Sequence, residues 1–157
     1  MRIVAFLVGL ACLSPVAGCS LTEADTGLPY RNVEGAGRLL VAEPGTFVFN
    51  DAASWESFWG EHAVDFEGRG VLPPAPDVDF ERETVAAVFL GTRSGCGHFI
   101  ELVREVRMRG DAALVEIGPP SPPSHLVCDM VVLPAHIVAF DKVNAVRFTG
   151  DVPGKDE

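Results

Sequence analysis

Short apolar runs bounded by glycine, proline and charged residues recur along this chain and read as strands, and over one stretch the apolar positions take up helical spacing. Leu39-Leu40-Val41 and Thr46-Phe47-Val48-Phe49 flank Glu43-Pro44-Gly45 and predict a first hairpin with a Pro-Gly turn. Asn50-Asp51 is a capping sequence for a helix over 52–61, in which Ala52, Trp55, Phe58 and Trp59, followed by Ala63, form an aromatic face. That face is expected to cover a sheet, with a ligand platform as the functional alternative. The run Thr84-Val85-Ala86-Ala87-Val88-Phe89-Leu90 is apolar without alternation after its first residue, which predicts a central strand buried on both faces.

Residues 99–108 and 112–117 flank Arg109-Gly110-Asp111 and predict a second hairpin; the tripeptide also spells an adhesion motif, and turn chemistry at a hairpin tip is the preferred reading. Further strands are expected over 127–133, 135–140 and 145–149, with a turn near 141–144. Residues 71–80 read as a loop ending in Asp77-Val78-Asp79-Phe80; if extended, Asp77, Asp79 and Glu81 share one face, read as a solvated acidic edge rather than a cation site. The prolines of 118–124 predict a stiff polyproline crossing. The fold class that follows is α+β and β-rich: a mostly antiparallel sheet, open barrel or sandwich, with one short Trp-bearing helix.

Composition changes this picture mainly at the N-terminus. An uncharged segment follows Met1-Arg2, too short to span a bilayer but suited to a secretory signal, and leads into Val16-Ala17-Gly18-Cys19, a lipobox-like sequence. Residues 1–18 are therefore read as a lipoprotein signal peptide and Cys19 as the acylated residue, with Ser20 fitting outer-membrane sorting. Residues 19–37 form an expected flexible tether, 38–150 the domain and 151–157 a polar tail. The expected location is the bacterial envelope, with the bilayer held through the lipid alone. A formal net charge of −10 with no basic run argues against nucleic acid.

Cys96-Gly97-His98 and His125-Leu126-Val127-Cys128 are the sharpest chemical candidates. In an oxidising compartment, with Cys19 consumed by lipid, Cys96 and Cys128 are the pair left for a disulfide. Two thiolates with His98 and His125 as a tetrahedral zinc site is the alternative, without the usual cysteine spacing. Ser94 or Cys96 as a nucleophile beside His98 is disfavoured, because Gly91-Thr92-Arg93-Ser94-Gly95 is not G-x-S-x-G and a strand follows it. No catalytic residue and no cofactor is expected. His62 and His136 lie beside apolar residues and read as edge or surface histidines.

Four stretches together carry a family resemblance: Ser54-Trp55-Glu56-Ser57-Phe58-Trp59, Pro76-Asp77-Val78-Asp79-Phe80, Gly91-Thr92-Arg93-Ser94-Gly95-Cys96-Gly97 and Ala135-His136-Ile137-Val138-Ala139-Phe140. Over most of 39–148 the chain resembles the C-terminal domain of the protease-complex subunit PrcB. The resemblance implies a lipoprotein that binds and stabilises a surface protease rather than an enzyme, with Trp55, Trp59, Arg93 and Ser94 as partner-binding residues. The chain departs from the pattern in its cysteine pair, where the family's turn has Gly-Gly followed by an aromatic residue. A small-ligand or metal-binding envelope lipoprotein is the competing reading.

Overall fold

The computed structural model describes residues 26–65, 68–94, 101–119 and 131–154. In chain order the elements are β1 (Thr26–Gly27), β2 (Tyr30–Asn32), a 3-10 turn (Ala36–Arg38), β3 (Pro44–Phe49), α1 (Ala52–His62), β4 (Glu83–Leu90), β5 (Arg93–Ser94), β6 (Val103–Arg109), β7 (Ala112–Ile117), β8 (Val131–Val132), β9 (Ala135–Asp141) and β10 (Ala145–Gly150). They build two four-stranded sheets, ordered β1-β6-β7-β10 and β2-β9-β4-β3, and a small β5-β8 ribbon. The architecture is β-rich α+β, as the apolar runs and the single helix predict, and of the expected forms it is the sandwich, not closed into a barrel.

The central-strand expectation for 84–90 holds for a clear reason. β4 lies between β9 and β3, and successive side chains leave it on opposite faces. Val85, Ala87 and Phe89 join the core under α1, whereas Ala86, Val88 and Leu90 join the core between the two sheets. With both faces covered, no position from Thr84 to Leu90 is left for a solvated side chain.

Several expectations are corrected. No hairpin forms around Pro44-Gly45: Pro44 opens β3, which pairs along its whole length with β4, while Leu39 makes only an isolated bridge to Ala63. Proline at the first residue of a strand costs no ladder bond, so the dipeptide starts pairing instead of reversing the chain. The second half of the expected tether is folded: Thr26 and Gly27 pair with Met108 and Arg107, Tyr30 to Asn32 pair with β9, and Val33 is buried. Two short strands with no room for an apolar period gave no local signal. Of 127–133, residues 131–132 are strand, and 127–130 lie outside the described residues.

The second hairpin forms as expected, with β6 and β7 antiparallel about Gly110-Asp111. β10 pairs with β7 in parallel, the one parallel pairing among those described. It follows β9, which belongs to the other sheet, so its direction comes from a crossing between sheets and not from a tight turn. The β5-β8 ribbon resumes the β4-β9 ladder beyond Gly91, with Arg93 opposite Val132. Gly91 has φ +67°, and a Cβ there would lie 2.6 Å from the Ala42 carbonyl oxygen, so the kink after β4 requires glycine.

Candidate interaction surface

α1 begins where Asp51, in an extended conformation, accepts from the Ser54 backbone N–H at 2.8 Å and from its hydroxyl at 2.9 Å. The same bonds hold the Asp51 carboxyl below its ordinary range. Trp55, Phe58 and Trp59 recur on the inner face and are buried, with Trp55 2% and Trp59 3% exposed. Their rings pack with Phe47, Phe49 and Phe89: Phe49 is 5.1 Å from Trp55, Phe47 is 4.9 Å from Phe58, and the two indoles are 5.3 Å apart. Trp55 and Trp59 are thus core residues and not an exposed partner platform, because burying such large rings dominates what a small helix contributes.

Their polar tips reach the surface in another way. The Trp55 Nε1–H donates to the Pro76 carbonyl at 3.0 Å, and the Trp59 Nε1–H donates to the Pro73 carbonyl at 2.9 Å. The strap 73–76 is pinned at both ends by the core, and Val71 and Leu72 just before it are 70% and 51% exposed. Gly35, at φ +92°, closes the preceding loop over Trp59; a Cβ there would sit 3.1 Å from the indole.

Beyond Pro76 the chain turns through Asp77, Asp79 and Glu81, which are exposed in a loop as expected, although no strand there makes them a sheet edge. With Asn50, Asp51, Ala52, Val78 and Phe80 they line an open cleft of about 570 Å³ at the start of α1. The loop is fastened from behind. Arg31 forms a two-point ion pair with Glu83, at 2.8 and 2.7 Å, and Glu83 also accepts from the Asp79 N–H at 3.2 Å. The guanidinium lowers the Glu83 carboxyl and is itself raised by it. Lys142 Nζ donates to the carbonyls of Asn50 and Phe80, at 2.5 and 3.0 Å. Buried Thr84 donates to Asn50 Oδ1 at 2.9 Å and accepts from the Val143 N–H at 3.3 Å. Among the described residues no group of three or more His, Cys, Asp or Glu is placed to hold a metal ion.

The seam between the sheets holds residues that sequence reasoning missed. His136 is buried rather than at an edge or surface, because it falls on the same face of β9 as Val138 and Phe140, toward the inter-sheet core. The Val103 N–H donates to its Nδ1 at 2.9 Å. The proton therefore sits on Nε2, which donates to Asn32 Oδ1 at 2.8 Å. Burial pushes the imidazole pKa down; Glu101 opposes this and Arg104 adds to it. The Tyr30 hydroxyl donates to the Val103 carbonyl at 3.2 Å, so side chains of one sheet satisfy both backbone groups of Val103 in the other. A register shift between Val103 and Glu105 frees those groups. The available signal was the period: 136, 138 and 140 share a strand face. His62, at the end of α1, is half-buried with its ring 4.5 Å from Phe58.

Arg93 and Ser94 are exposed on β5, and the Arg93 Nε–H donates to the Leu90 carbonyl at 3.2 Å. The structure does not bring them together with Trp55 and Trp59, whose rings belong to the core beneath the strap. The remaining candidates, Cys19, Cys96, His98, His125 and Cys128, lie outside the described residues. Compared with known proteins, the chain matches no family model, no curated protein and no solved structure.

Proposed function

We propose that the chain is a lipid-anchored envelope protein, held in the outer membrane through acylated Cys19, whose sandwich is a non-catalytic protein-interaction module. A surface or periplasmic protease, bound and stabilised, is the partner class implied by the resemblance to the PrcB C-terminal domain. The observation that carries this reading is the strap: two buried tryptophans spend their only polar side-chain atoms on the carbonyls of Pro73 and Pro76. That arrangement orders a proline-rich surface segment before any partner arrives and sets exposed Val71 and Leu72 at its start. An ordered apolar surface lowers the entropic cost of association, which is the property a binding module needs.

Affinity capture of the mature lipoprotein from its own envelope tests the reading. A stoichiometric protein partner is expected with the native chain, and Val71→Asp with Leu72→Asp should lose it while thermal unfolding stays unchanged. Recovery of no stoichiometric protein overturns the proposal. Cys19→Ala should release the protein from the membrane fraction and abolish acyl labelling.

A further inference from the structure

The strand edges of the sandwich are unequal, and β3 is the unprotected one. In an antiparallel ladder the backbone groups of successive residues turn alternately to one neighbour and then the other. The Leu90 N–H donates across to the Pro134 carbonyl on the β9 side, so Leu90, Val88 and Ala86 face β9. Phe89, Ala87 and Val85 consequently face β3, where they meet Gly45, Phe47 and Phe49. Thr46 and Val48 direct their N–H and C=O groups out of the sheet, where no described strand pairs with them.

Native edges are ordinarily blunted by charge, internal proline, a bulge or shortness. β1 and β2 have two and three residues, and β2 carries the Arg31–Glu83 pair. β10 carries Arg147. β3 has six residues and no charge, its proline is the first of them, its register is unbroken, and Val48 is 36% exposed.

We infer that β3 takes up an extended segment of a protein partner as a fifth, antiparallel strand, bonded at Thr46 and Val48 and carrying a basic residue toward the acidic cleft. The inference rests on the interaction-module reading and states how the partner is held. Segment residues opposite Thr46 and Val48 fall on the inter-sheet face beside the exposed Val48 side chain, which calls for β-branched apolar residues. The antiparallel direction sets the segment's first residue by Asn50, next to Asp51, Asp77 and Asp79, while Val78 and Phe80 give its aliphatic stem an apolar wall. A second copy of this chain fits poorly. The two-fold pairing that uses both Thr46 and Val48 places Glu43 of one chain opposite Asp51 of the other, and like charges directly opposite are unfavourable.

Amide exchange followed by NMR on the full chain, with the capped peptide Lys-Ser-Val-Thr-Val-Thr as probe, tests the inference. Slowed exchange confined to the outward amides Thr46 and Val48 is expected. Val48→Pro removes one outward donor and no ladder bond, so it should bind about tenfold more weakly with the Phe47 and Phe49 amides still protected; Thr46→Pro serves if that variant does not fold. Glu in place of the peptide's Lys should also weaken binding about tenfold. No slowing at millimolar peptide, slowing elsewhere, undiminished binding by the proline variant, or a concentration-dependent dimer that protects the same amides would overturn it. If Val48→Pro still captures the envelope partner, the edge inference fails and the module reading stands; if the native chain captures none, the module reading itself fails.

Discussion

The helix side of the sheet β2-β9-β4-β3 is packed with a cluster of rings, whereas its other side, toward β1-β6-β7-β10, is packed mainly with aliphatic chains, with Phe140 and one imidazole among them. Under α1, the indoles and phenyl rings of Phe47, Phe49, Trp55, Phe58, Trp59 and Phe89 sit within 4.9 to 6.4 Å of a neighbour. Between the sheets, Val88, Val106, Val115, Ile117 and Val138 fill the core, and His136 with Tyr30 bridges to Val103. The contrast lies in where the polar atoms go. Tryptophan sends its one donor outward to a loop carbonyl and leaves the core without a titratable group. The inter-sheet core keeps a titratable group, His136, inside.

The largest break in this comparison is expected from Trp55→Ala. Truncating a fully buried ring should cost about 3 to 5 kcal/mol, read as a lowered denaturant midpoint. Exchange protection of the strap should fall with it, since the Pro76 carbonyl loses its donor. A variant as stable as the native chain would show that the aromatic side is not the mainstay of the fold.

Acid should act next, and on the other side. His136 in the folded chain has its pKa pushed below the ordinary 6.5, so the unfolded chain binds the extra proton first as the pH falls. Stability is full above about 6.5 and declines as the pH drops toward the lowered value, by up to about 1.4 kcal/mol per pH unit. Protonation would set an N–H on Nδ1 against the Val103 N–H and break the bridge. His136→Gln should flatten that slope between pH 7 and 5 in urea titrations, while the carboxylates of Asp51 and Glu83, both lowered, act only in more acidic solution. An unchanged slope would remove His136 from the account.

A smaller effect sharpens the comparison. Trp59→Phe keeps most of the ring and deletes one hydrogen bond, so a loss of about 1 kcal/mol is expected. Hydrogen exchange should show loosening around Pro73 and none at Val103. Loosening on both sides would mean that the two cores respond as one.

Much of the sandwich is legible in the chain itself. The unbroken apolar run of β4 announces burial on two faces, the period of α1 announces its inner rings, and Gly110-Asp111 announces the turn between β6 and β7. These features are local: side-chain period and turn chemistry act over a few residues and need no knowledge of the partner strand. Only the tertiary structure decided the rest. It drew Thr26 to Val33 into the sheets, paired β10 in parallel with β7, turned Trp55 and Trp59 from candidate contacts into the anchors of the strap, and buried His136 across the seam. Those outcomes rest on pairings between residues as far apart as Asn32 and His136, and on which backbone groups a bulge leaves unpaired. Such partners are chosen by the assembled sheets, because a buried polar atom must find whichever group the fold brings within reach.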